Sequence, residues 1–184
     1  MSNKGLLLIM CGVLGGACAS DNHAEQVRDA RMAHAEEQAD QREDAVGERA
    51  SERADAIEQQ YDARREAVDA RNAPGSDQQE TLLDKSQERA EYQSRAQAQL
   101  DKLGVRLQAA QQKISVLADR APTKLRTNLT TAAKEHNTLQ QELVSLRSDP
   151  SQSWESEKNR IEDRMSQLES RIGQLSDDID DVKS

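Results

Sequence analysis

Seven apolar residues near the C-terminal end, Ile161, Met165, Leu168, Ile172, Leu175, Ile179 and Val182, follow spacings of 4, 3, 4, 3, 4 and 3. Trp154 sits one heptad before the first of them. Such spacing puts every member on one stripe of a helix and keeps that stripe against a partner as the helices supercoil left-handedly. The same rule governs Leu125, Leu129, Ala132, His136, Leu139, Leu143 and Leu146, and again Leu100, Leu103, Leu107, Ala110, Ile114 and Leu117. Three consecutive segments with one apolar stripe each leave little room for a sheet. The predicted fold is all-α, an elongated set of helical hairpins forming an antiparallel coiled coil, with four helical segments and no sheet.

Composition agrees. Ala, Glu, Lys, Leu and Arg supply 83 of 184 residues, close to the share typical of long helices, while Phe is absent and Gly plus Pro number 11. Breakers cluster at Asn72-Ala73-Pro74-Gly75-Ser76, at Ala121-Pro122-Thr123 and at Ser148-Asp149-Pro150. They divide the chain into helices near 22–72, 77–120, 123–147 and 150–182. Asp149 before Pro150 is a helix start, with proline at the first helical position. Pro122 permits either a kink in one long helix or a turn between two. Short breaks make neighbours antiparallel, so the last two segments (122–184) are expected as a coiled-coil hairpin, to which the helix within 76–121 can add a third strand.

The first helical stretch, 27–75, has another period. Arg31, Arg42, Arg53 and Arg64 lie 11 apart, as do Ala35, Val46, Ile57 and Val68, with Ala39, Ala50 and Tyr61 four residues further on. An 11-residue repeat keeps its stripe straight or drifting to the right. From Ser20 to Glu80 only six side chains are large and apolar, against 24 from Thr81 to Ser184. A thin Ala stripe suits close packing on another helix, an extended spacer, or, least well given 14 acids against 8 bases over 22–72, a helix lying on lipid. As a spacer it would span about 75 Å and hold the C-terminal half that far from its own start.

The N-terminal segment supplies an address. Lys4 precedes nine largely apolar residues, Leu6 to Leu14, and then small residues, the plan of a secretory signal over 1–17. It is shorter than the ~20 apolar residues of a spanning helix. Leu14-Gly15-Gly16-Ala17-Cys18 resembles the lipobox of bacterial lipoproteins, although Gly15 stands where that family prefers Leu. The resemblance implies cleavage before Cys18, a diacylglycerol thioether on Cys18, and 18–26 as a lipid-attached tether. Ala19 rather than Asp after the Cys implies the outer membrane, facing the periplasm. Ala17-Cys18-Ala19 also permits ordinary secretory cleavage after Ala19. Both cysteines, Cys11 and Cys18, lie in this segment, so the mature chain can form no intramolecular disulfide.

Chemistry is sparse. His23 and His34 share a helical face without further ligands, and His136 falls on a seam, where a polar residue usually sets register, although a partly exposed histidine without a structural role is the favoured expectation. No nucleophile elbow, P-loop or dinucleotide-binding glycine pattern occurs. The Asp177-Asp178-Ile179-Asp180-Asp181 run lacks the EF-hand glycine and glutamate. A net charge of −9 disfavours nucleic acid. The expectation is a non-enzymatic structural or interaction protein with no catalytic, cofactor-binding or metal-binding residue and no small-molecule substrate. Its partners would be a membrane, through lipid on Cys18, and either a helical protein or a second copy engaged through the heptad seam. A soluble periplasmic holdase or stress protein is the alternative.

Overall fold

The computed structural model describes residues 20–69, 76–148 and 154–183. Among them are four α-helices and no strand: α1 (Ser20–Asp69), α2 (Ser76–Leu117), α3 (Thr123–Ser148) and α4 (Trp154–Lys183). A 3-10 turn, Ala118–Arg120, follows α2. The all-α expectation holds, and the three heptad stripes are what the helices bury. Leu100, Leu139, Leu168 and Ile179 are completely buried, and Leu103, Leu143, Ile161, Ile172 and Leu175 nearly so. At roughly 25 cal/mol per Å2 of apolar surface, each such side chain contributes about 1.5–3 kcal/mol, more than any surface ion pair.

Cross-helix contacts fix the directions. Glu142 with Arg164, Glu135 with Arg171 at 2.6 Å, and Lys124 with Asp178 at 3.6 Å run down the numbering of α3 as they run up that of α4, so the two are antiparallel. Pro122 marks a reversal rather than a kink: α3 runs back along α2, where the His136 ring meets the Leu100 carbonyl at 2.9 Å. Ala118 makes that reversal with φ at 47°, the left-handed region that L-residues rarely enter. Arg126 Nη2 donates to its carbonyl at 2.6 Å. Helices α2 and α4 lie parallel, with Arg106 Nη1 3.5 Å from Glu169 and the Tyr92 ring edge-on to Trp154 at 5.5 Å. These three helices form a bundle.

Helix α1 folds back along α2. Glu36 pairs with Lys113 at 3.3 Å, Glu43 with Arg106 at 2.7 Å, and Arg65 with Asp84 at 2.6 Å, while Tyr61 hydrogen-bonds Ser86 at 2.7 Å. One register therefore holds along the whole antiparallel pair. The 11-residue stripe faces α2: Ala35, Ala39 and Tyr61 are buried, and Val46, Ala50, Ile57 and Val68 half-buried. Of the three readings open to this stretch, helix packing is the one observed.

The stretch 20–26, expected as part of a lipid-attached tether, is helical and continuous with α1. The spacer reading of α1 is the one excluded: Met32 is buried in one cluster with Leu117, Leu125, Leu175 and Ile179. The thin stripe gives α1 no reason to stand alone, and α2 offers a matching row of alanines and lysine stems. At the other end, Tyr92 and Trp154 close the three-helix core. Beyond Tyr92 the first four turns of α2, paired with the end of α1, continue as a two-helix projection of about 24 Å.

Candidate interaction surface

The residues that carried the sequence expectations fall into separate places. Cys18, the expected lipid-attachment residue, lies outside the described residues, as does the Asp149-Pro150 helix start. Ser20, two residues after Cys18, opens α1 at the end of the molecule that holds Met32, Leu117, Leu125 and Ile179. No helix among the described residues is long and apolar enough to cross a membrane.

The histidines do not converge. The Gln38 amide donates to His34 Nε2 at 2.9 Å on the exposed side of α1, and His23 is exposed. Among the described residues no group of three or more His, Cys, Asp or Glu side chains is arranged to hold a metal. His136 is a helix-packing residue. Its Nε2–H donates to the Leu100 carbonyl, and the ring stands over Gly104, where an added Cβ would lie 3.1 Å from Nε2. A glycine at that turn of α2 is what admits the ring, so His136 sets α2–α3 register as a seam polar residue should.

The heptad seam is consumed within the chain. Its stripe residues are buried or half-buried between α2, α3 and α4, which leaves no large apolar seam exposed among the described residues. Charge is spent in the same way. Lys113, 6% exposed, lies in a groove between α1, α2 and α4 and is held by Glu36; Arg106 is shared by Glu43 and Glu169. Hydrogen bonding to Glu43 raises the Arg106 pKa above its already high ordinary value, so it remains a cation at any working pH. The Arg106 pairs, with its side chain 45% exposed, are worth at most about 1 kcal/mol each and act mainly on register.

One surface is different. A groove of about 430 Å3 runs between α2 and α3, floored by Leu107, Leu129 and Ala133 and rimmed by Gln108, Gln111 and Asn137. Lys134 is the one charged residue lining it. The flanking outer face of α3 carries Thr127, Thr130, Thr131, Thr138, Val144 and Ser145, all exposed, in a chain that is 32% charged. Each of those hydroxyls donates to the backbone carbonyl four residues earlier, at 2.8–3.0 Å. The threonine hydroxyls are thereby satisfied within the helix. Sequence reasoning missed this face because it looked for apolar stripes. The available signal was the absence of charge over 107–112 and 127–133.

Comparison with known proteins finds no matching family, no matching curated protein and no matching solved structure.

Proposed function

We propose that the chain is a non-enzymatic structural or interaction protein of the bacterial cell envelope, a helical rod attached to the outer membrane by lipid on Cys18 and facing the periplasm. The observation that carries this reading is the sequence Leu14-Gly15-Gly16-Ala17-Cys18 after a short apolar segment, a lipobox-like signal, followed at once by helix from Ser20. Lipid on Cys18 would place the Met32–Ile179 end of the bundle next to the membrane and the α1–α2 projection about 75 Å outward. Two acyl chains on a diacylglycerol suffice for stable anchoring without a spanning helix. The rod then presents helical faces to another protein.

The intact mass of the N-terminal peptide, from protein made in a bacterium that processes lipoproteins, tests the anchor. The proposal expects a peptide beginning at Cys18 that carries diacylglycerol and an acyl chain. A peptide beginning at Ser20 without lipid contradicts it and favours a soluble periplasmic holdase. The exposed, strongly acidic helices are compatible with that second role.

A further inference from the structure

We infer that α1 is a detachable strap: it leaves α2 as one unit, and residues 76–87 open with it, while the rest of the α2–α3–α4 bundle stays closed. Different forces hold the two parts. Among the described residues, the core cluster from Tyr92 to Ile172 is built by α2, α3 and α4 and contains no α1 residue. To the second cluster, with Leu117, Leu125, Leu175 and Ile179, α1 supplies Met32 alone. Otherwise α1 buries Ala35, Ala39 and Tyr61, and two of these are alanines with little apolar surface to lose. Much of what joins it to α2 is polar: Arg42 with Gln108 at 2.6 Å, Glu43 with Arg106 at 2.7 Å, and Arg65 with Asp84 at 2.6 Å. Water offers each of these groups a comparable partner, so their net worth is small. Packing of an apolar face, rather than propensity, is what holds a helix in a folded chain. By that measure α1 is the low-stability part of the molecule and the buried seam the high-stability part.

The strap is clasped at two points, Met32 and Tyr61, about 44 Å apart along the helix. From Asp40 to Gln60 every side chain is exposed or at most half-buried, so nothing between the clasps holds a half-open helix. The start of α2 follows α1. Ser86 takes its cross-helix hydrogen bond from Tyr61, and Asp84 and Gln87 accept from Arg65. Contacts with the bundle begin only afterwards, at Glu88, 3.7 Å from Lys158, and at Arg89, stacked over Trp154 at 5.0 Å. With α1 gone, residues 76–87 have no second helix to pack on.

The closed form predominates, and opening itself does not depend on a lipid anchor. Its consequence for reach rests on that reading. With Cys18 held at a membrane, the closed form keeps the Met32–Ile179 end beside it, whereas the open form lets α1 span up to about 75 Å before the bundle begins.

Backbone hydrogen exchange of the full chain, isolated as its host processes it in mild detergent, tests the inference whether or not Cys18 carries lipid, under conditions where exchange follows the opening equilibrium. In wild type, residues 35–61 and 76–87 should exchange at least about tenfold faster than the seam at 100–107, 139–146 and 168–175. Leu139 lies in the cluster that α1 does not enter, so Leu139→Ala weakens the closed and open forms of the strap alike. It should accelerate the seam by roughly 30-fold or more and leave residues 35–61 unchanged. Should that variant fail to fold, Ile161→Val carries the same comparison at about 2- to 10-fold. Tyr61→Ala should accelerate residues 35–39 as much as the amides beside it. Three results each overturn the inference: residues 35–61 that speed up in step with the seam in Leu139→Ala, residues 76–87 that follow the seam rather than α1, or a Tyr61→Ala effect confined to its neighbours.

Discussion

The His136 ring on α3 reaches the backbone of α2 at Leu100, with Nε2 2.9 Å from the carbonyl oxygen. Leu100 is fully buried and lies one turn before Gly104, so this contact couples register to the centre of the core.

Glycine substitutions report on that coupling. Gly173 has nothing within 4 Å of an added Cβ, and its position on α4 is exposed. Gly173→Ala should therefore gain the full helix-propensity difference, about 0.5–1 kcal/mol. Gly104→Ala gains the same propensity but sets a methyl 3.1 Å from His136 Nε2. Its expected result is no net gain or a loss. Urea unfolding of both variants checks the contrast, and an equal gain in the two would dissociate Gly104 from the His136 contact.

The turn after α2 is the second test. Ala118 holds φ at 47° with its side chain exposed. A left-handed L-residue costs roughly 1–2 kcal/mol, which glycine avoids at the expense of some unfolded-state entropy. Ala118→Gly should stabilise by about 0.5–1 kcal/mol, seen as a higher midpoint at unchanged denaturant slope. A destabilised variant would mean that the reversal at Pro122 is made otherwise.

The seam itself is tested by charge. Leu139 and Leu168 are both completely buried, so Leu139→Asp or Leu168→Asp strands a carboxylate among apolar side chains. Each should cost more than about 4 kcal/mol and abolish cooperative thermal melting. Leu82→Asp, at a residue 67% exposed on the projection, should change stability by less than about 0.5 kcal/mol. Unchanged melting in all three would remove the basis for the bundle.

Much of this fold is legible in the sequence, because 3–4 spacing states which face of α2, α3 and α4 is buried and the breaker clusters state where they end. The fate of α1 is not. Met32 is one of six large apolar residues among 61 and lies outside the 11-residue rows, yet it joins the core with Leu125 and Ile179. An Ala stripe favours packing on a partner helix over an isolated spacer, but only the row on α2 shows which helix that partner is. Ala118 carries no turn signal either, since the residue that favours a left-handed φ is glycine. Of the expected sites, Cys18 is a matter of processing chemistry rather than packing. His136 was readable as a seam polar residue, but its acceptor on Leu100 needed the neighbouring helix.

Alkaline pH gives a fourth prediction. Burial, with the Glu162 carboxylate adding in the same direction, pushes the Tyr92 hydroxyl up to about 12 from an ordinary 10. The folded chain therefore keeps a proton that the unfolded chain releases between these values. Stability involving Tyr92 is intact below pH 10 and declines as pH rises toward 12. The melting temperature of wild type should fall more steeply over that window than that of Tyr92→Phe. Parallel curves would mean that Tyr92, whose hydroxyl donates to the Lys158 carbonyl at 3.2 Å, is not closed off beside Trp154.

The central claim is that α1 folds back, so that its start lies beside the far end of α2 and the beginning of α3. Spin labels on Arg31→Cys and Lys124→Cys, both exposed, measure this directly. With Met32 and Leu125 in one cluster, the account predicts a single label separation below about 30 Å. An α1 extended away from the bundle as a spacer would separate the labels by more than about 80 Å, and that result would contradict it.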